Sequence, residues 1–228
     1  ILYNLSFDLL TPNPIHSYNE LLKNSLLSAH SITYHYSLFM IGNSKTGESK
    51  NNYVAFAPGF SDESKAAYLQ TVKDSSRLDR LYLNLLPQPY TKTLVKRIKN
   101  KFGGDAYMDN GSTKISFKQN ADNNKIVHIG THAEFNNEKP ELSRLIFSKN
   151  TDSAADNNSL FLYDIYNCNI NTNLAILTAC ESGKPGYQDG EGMVSLAHAF
   201  NYAGSKSILT SLWQVDEQSA SFITERFI

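Results

Sequence analysis

The chain has 228 residues, 41% hydrophobic and 19% charged, with a formal net charge of −1. That composition excludes disordered and collagen-like chains, and the near-zero charge offers nothing to draw the protein to nucleic acid or an anionic membrane. No apolar run reaches the roughly 18 residues that span a bilayer, and the opening ILYNLSFDLL lacks the basic stretch and small-residue cleavage site of a secretory signal.

In chain order, residues 1–10 alternate and read as a strand or hairpin. SYNELLKNSLLSAHS (17–31) spaces its leucines as a helix does, and ITYHYSLFM (32–40) reads as a strand. NSKTGESKNN (43–52) is a polar loop. YVAFAP (53–58) is a short apolar strand stopped by Pro58 and Gly59, and SDESKAAYLQTVKD (61–74) opens on an N-cap at Ser61 and continues as a helix. LNLLPQPY (83–90) is a proline-broken connection. TKTLVKRIKNKFGG (91–104) is a basic helix that ends at Gly103–Gly104, its cations suited to a solvated face.

From Lys125 the texture changes. KIVHIGTH (125–132), NLAILTAC (173–180) and SKSILTSLW (205–213) are apolar, β-rich runs. MVSLAHAFNYAG (193–204) between the last two is helical by period and ends at Gly204; DEQSASFITERFI (216–228) is a further helix with Asp216 at its start. Residues 149–159 form a long polar surface loop. Alternating helices and near-continuous hydrophobic strands predict an α/β fold with a mostly parallel sheet covered on both faces. The length suits one domain over 1–228, with 1–104 the less distinctive half and 105–228 the half that holds the three apolar runs. Without an initiator Met, and stopping inside a predicted helix, the chain reads as a fragment of a larger protein.

In open α/β sheets, ligands gather outside the carboxyl ends of the strands. Two reactive side chains fall at such ends: His132 closes IVHIGTH, and Cys180, 48 residues later (180 − 132), closes LAILTAC. If their strands are parallel neighbours, the ends lie about 5 Å apart, or about 10 Å with one strand between. A free thiol is only a few per cent thiolate at neutral pH, so an adjacent imidazole is what makes it a nucleophile. The glycines of ESGKPGYQDGEGM (181–193) let backbone approach a peptide closely. Taken singly, a cysteine at the end of an apolar strand is more often a small buried hydrophobe, and a histidine there is more often hydrogen-bonded filler; order and spacing favour the pair. A zinc site of His128, His132 and Cys180 is disfavoured, because the metallopeptidase pattern needs a helix and an internal Glu. A phosphatase loop is disfavoured by the absence of Arg after Cys180 before Gly190. With two cysteines, Cys168 and Cys180, no disulfide framework is expected; a reducing, cytoplasmic compartment is.

At these residues the sequence resembles the CHAT domain family, caspase-like peptidases often fused to tetratricopeptide repeats and more distantly similar to separase. IVHIGTHAE resembles the family's His block, and TACESGKPGYQDGEGMVSLAHAFNYAGSKSILTSLWQVDEQSA its Cys block through the Trp-x-Val-Asp segment; LSFDLL, ITYHYS and YVAFAP are weaker counterparts. Caspases likewise place the His about 50 residues before a Q-A-C-x-G cysteine, which TACESG approximates. The resemblance implies a three-layer caspase–haemoglobinase-like fold, with His132 as base, Cys180 as nucleophile, and an oxyanion hole from the N–H groups of Cys180 and Ala133, where the family usually has Gly. It also implies an acid near Asp216 or Glu217 lining the pocket for a basic P1 side chain; the alternative role of both is the first turn of the last helix, where acids are favoured in any case. Trp213 is a cleft wall or a core residue, and Glu181 sets the electrostatics of the cleft or is solvated. His128 packs beneath the site, Cys168 near a predicted helix end is structural, and His198 is a surface or packing residue.

The expected function is therefore a cysteine endopeptidase that cuts a partner protein through an acyl-enzyme, with no cofactor or metal and no direct contact with nucleic acid or membrane. Regulation by missing flanking regions, such as a tetratricopeptide array, would leave the isolated chain weakly active. The alternatives are a catalytically silent scaffold on the same fold and an acyl-transfer or amidase enzyme acting on small molecules.

Overall fold

A computed structural model of the chain describes residues 7–30, 32, 51–75, 78–136, 138–149, 158–178, 186–188, 192–211 and 215–228. The chain divides into two compact units, Ile1–Ser44 and Lys45–Ile228. Among the described residues no helix is long and apolar enough to cross a membrane.

In the first unit, Phe7–Leu9 is a 3-10 turn where a strand or hairpin was expected. Helices α1 (Tyr18–Asn24) and α2 (Leu26–Ala29) replace the single helix expected over 17–31. The break at Ser25 has a local cause: the Leu26 N–H leaves the helical ladder and bonds to Leu10 O at 2.8 Å. Residues 33–40 of the strand expected over 32–40 and 43–50 of the loop expected over 43–52 lie outside the described residues, as do residues 150–157 of the loop expected over 149–159; residues 51–52 open a strand instead.

The second unit is built on five parallel strands, β1 (Asn51–Ala57), β2 (Asp105–Met108), β3 (Asn124–Ile129), β7 (Thr172–Leu177) and β10 (Ser205–Thr210), in the order β10-β7-β3-β1-β2. Alternation along these strands loads two faces. Val54, Phe56, Val127, Ile129, Ala175 and Leu177 point into the larger core, where Phe56 meets the rings of Tyr107 and Phe117 at 5.3 and 5.2 Å. That face is covered by α6 (Lys114–Asn120), α7 (Leu162–Tyr166) and α8 (Leu196–Tyr202), through residues such as Phe117, Ile165 and Phe200. Tyr53, Ala55 and Ala57 face the other way, onto Leu94, Val95 and Ile98 of α5 (Pro89–Phe102). Helix α9 (Glu217–Phe227) packs on α5, joined by Arg97 to Glu225 at 3.0 Å. Helices, sheet and helices make the three-layer, caspase-like α/β arrangement.

The helix signals in the sequence are used as expected. Ser61 caps α3 (Asp62–Thr71) through the Ser64 N–H, and Asp216 caps α9 through the Ser219 N–H at 2.9 Å. Helix α5 ends on Gly103 and Gly104, both at positive φ; a Cβ at Gly104 would sit 2.0 Å from Tyr53 O, so only glycine lets the chain turn there into β2. The connection expected over 83–90 carries the end of a short helix, α4 (Arg80–Asn84), capped by Asp79.

Chain order across the sheet reverses between β1 and β3. The chain moves from β1 outward to β2, crosses back to β3, and continues outward through β7 to β10. The carboxyl ends of β1 and β3 therefore flank the switch point, where open α/β sheets form their binding crevice.

Candidate active site

The run KIVHIGTH does not form one strand ending at His132. Strand β3 stops at Ile129, and His132 opens β4 (His132–Glu134), the first strand of an antiparallel sheet completed by β5 (Arg144–Ile146) and β6 (Ser159–Phe161); β8 (Gly186–Gln188) and β9 (Gly192–Val194) form a separate antiparallel pair. The break is made at Gly130 and Thr131. The Gly130 N–H bonds to Phe56 O at 2.9 Å, and a Cβ there would lie 2.0 Å from Thr91 Cγ2 of α5 and 3.0 Å from Thr178 Oγ1. The buried Thr131 hydroxyl donates to Ile146 O, tying the chain to the new sheet. A glycine needed for close packing thus turns the chain out of the parallel sheet and presents the histidine beside its rim.

The half-buried His132 ring is held on two sides. Its Nε2 lies 2.8 Å from Leu86 O, in the connection between α4 and α5. Its ring lies 5.0 Å from that of Phe60, just beyond the end of β1. Phe60 is fully buried in a satellite cluster with Tyr68, Tyr82 and Ile146, so the imidazole rests on a rigid support. A carbonyl oxygen only accepts, so Nε2 carries the hydrogen and, in the neutral ring, Nδ1 keeps the lone pair. Ala133 pairs with Leu145, and its methyl packs against the larger core. Next along β4, Glu134 accepts from Arg144 Nε at 2.5 Å across the sheet.

Strands β3 and β7 are direct parallel neighbours, with Ile129 opposite Leu177. Past the last pair, the Thr178 N–H donates to Ile129 O at 3.0 Å, three residues before His132. Cys180, Glu181 and Trp213 lie outside the described residues.

Beneath this rim, His128 is fully buried and both of its ring nitrogens are engaged: Tyr53 OH lies 2.9 Å from Nδ1 and Thr178 Oγ1 3.0 Å from Nε2. Burial pushes the imidazole pKa down to about 3, so the ring is neutral, and raises that of the Tyr53 phenol, which keeps its proton. The neutral ring therefore donates through one nitrogen and accepts through the other, and the two hydroxyls serve both. His128 is a strut of the strand end, with no nitrogen left over for a metal; among the described residues no cluster of three or more metal-ligating side chains occurs.

The two acids at the start of α9 divide. Asp216 is exposed, and the hydrogen bonds from its own first turn hold its carboxyl below the usual range. Glu217 Oε1 instead accepts from the Thr91 N–H at 2.7 Å. Cys168 lies just past α7, its thiol donating to Asp164 O at 3.3 Å; burial pushes its pKa up. His198 on α8 meets Tyr166 OH at 2.9 Å through Nδ1. Sequence reasoning missed the Leu86 carbonyl and the Thr91 contact, since neither depends on residue types that stand out in LNLLPQPYT.

The five-stranded parallel sheet between two helix layers is the arrangement of a caspase-like domain. The family model of the CHAT domain matches residues 8–228, and the chain belongs to that caspase-like, protease-related family. No curated protein sequence matches the chain.

Proposed function

We propose that the domain is a cysteine endopeptidase in which Cys180 attacks a peptide carbonyl and His132 is the general base. The observation that carries this reading is the 2.8 Å contact between His132 Nε2 and Leu86 O. It fixes the tautomer, leaving Nδ1 to take the proton of the Cys180 thiol. The thiolate attacks the carbonyl carbon, and the N–H groups of Ala133 and Cys180 hold the oxyanion. Nδ1–H then protonates the leaving amine. The acyl-enzyme is released by a water that the same nitrogen deprotonates. The thioester C–S bond breaks, the Cys180 thiolate recovers that proton, and Leu86 O, accepting from Nε2 throughout, steadies the imidazolium formed within each half-reaction. The Thr178–Ile129 bond supports the pairing, because two residues of chain, at most about 7 Å, separate Cys180 from Thr178.

Asp216 is the exposed acid available to a basic P1 side chain, with Trp213 and Glu181 as further walls of the cleft. The substrate is a partner protein in a reducing cytoplasm, and regions flanking this domain, such as a tetratricopeptide array, regulate the cut. The test is cleavage of a peptide library by this chain and by its Cys180→Ala variant. Cleavage after Arg or Lys that the variant lacks is the expected result. Persistence in the variant removes the thiol from the mechanism, and a preference for acidic P1 removes Asp216 from the pocket.

A further inference from the structure

We propose that Glu217 is a positioning residue for His132, acting by capping helix α5 from outside; this rests on the peptidase reading above. Helix α5 starts at Pro89, so the Thr91 N–H is one of the first-turn donors that have no partner within the helix. The usual remedy is a side-chain acceptor at the N-cap, but Gln88 holds that position and makes no such bond. Thr91 is 1% exposed. Its N–H is satisfied by Glu217 Oε1 at 2.7 Å, reached from a helix 126 residues further along the chain. A carboxylate there also meets the positive end of the α5 dipole.

The segment capped in this way touches the histidine loop at two points. Leu86 O, five residues before Thr91, accepts from His132 Nε2. The Thr91 methyl fills the space where Gly130 has no Cβ, two residues before His132. Glu217 therefore fixes residues 86–91, and these fix the position and tautomer of the imidazole. A displacement of about 1 Å in such a support costs as much as a hundredfold in rate. The opposite assignment, Glu217 as a charge for the substrate's P1 side chain, requires its carboxylate to face the cleft, whereas one oxygen is held on the backbone of α5.

Two isosteric changes separate these roles, and both keep helix α9 well started. Glu217→Gln keeps an acceptor at the same reach and loses the charge. Glu217→Asp keeps the charge and falls about 1.5 Å short of Thr91. On matched peptides with Arg or Ala at P1, the Gln variant should hold kcat within about threefold. The Asp variant should lose about tenfold or more on both peptides, with KM within about twofold. Glu225→Ala, which removes only the exposed Arg97 tie between the same helices, should leave kcat unchanged. The imidazole ¹⁵N spectrum of His132 gives a readout independent of turnover: a single Nε2–H form in wild type and Gln, a tautomer mixture in Asp. Any result in which Asp does not fall below Gln, or in which the loss is confined to the Arg peptide, overturns the assignment. If Cys180→Ala still cleaves, the peptidase reading falls, while the ¹⁵N comparison still decides whether Glu217 sets the histidine.

Discussion

The interior of β3 and the short strand β4 that follows it each carry a histidine, four residues apart, and the two live in opposite conditions. In β3, His128 is sealed from solvent, neutral, and bonded through both nitrogens to Tyr53 and Thr178. In β4, His132 is half-buried and bonded through Nε2 to a backbone carbonyl, which leaves Nδ1 with its lone pair. The difference lies in what each ring can still do. A ring with both nitrogens engaged is a structural pin, whereas one locked in a single tautomer with its basic nitrogen available is a base. Spacing alone, H-x-x-x-H, treats them as equals.

That contrast can be broken experimentally at several strengths. The largest effect belongs to β4. His132→Ala should lower peptide turnover by about 10⁴-fold, the upper range of general-base assistance, and should bring Cys180 alkylation down toward that of Cys168; an alkylation rate at Cys180 that ignores the substitution would separate the two groups. The next belongs to β3. The native state holds His128 neutral, with a pKa of about 3 against about 6.5 unfolded, so the stability it contributes is complete above pH 6.5 and is lost as pH falls toward 3. Between pH 6.5 and pH 4 this amounts to about 3 kcal/mol. Urea unfolding of His128→Asn should show a flatter pH slope by that amount, and an unchanged slope would remove the buried ring from the comparison. Third, Gly130→Ala, at the junction of the two regions, places a methyl 2.0 Å from Thr91 Cγ2 and should cost about 1–3 kcal/mol in thermal unfolding, partly restored by Thr91→Ser. The smallest effect lies on the rim. Asp216→Asn retains a good N-cap, so the thermal midpoint should be unchanged, while the preference for Arg over Ala at P1 declines; an intact preference would take Asp216 out of substrate recognition.

The elements that pack were the ones the sequence made legible. YVAFAP, KIVHIG, NLAIL and SKSILT announce β1, β3, β7 and β10 by continuous apolar runs, because strands covered on both faces have no polar side to interrupt them. Ser61, Asp216 and Gly103–Gly104 announce helix ends, because capping chemistry is local. The turn at Gly130 was hidden: the run continues through it, and only Thr91, distant in sequence, forces the chain aside. Leu86 matters through its carbonyl, a group every residue owns, so no side-chain pattern marks it. The reach of Glu217 to Thr91 was hidden for the opposite reason: an acid in a first helical turn already has a sufficient local explanation. The short elements β2 and α6 carried too few apolar positions to stand out before the sheet gathered them.

The strand order also dictates a schedule of assembly on the ribosome. β3 is central, yet one of its two neighbours, β7, begins only at Thr172, and the next strand out ends at Thr210. A nascent chain that has emerged only as far as the His132 hairpin exposes the unpaired flank of β3. Such non-local parallel pairing closes late and slowly. The central sheet therefore gains its last strand only once Thr210 has emerged, long after β1 is made.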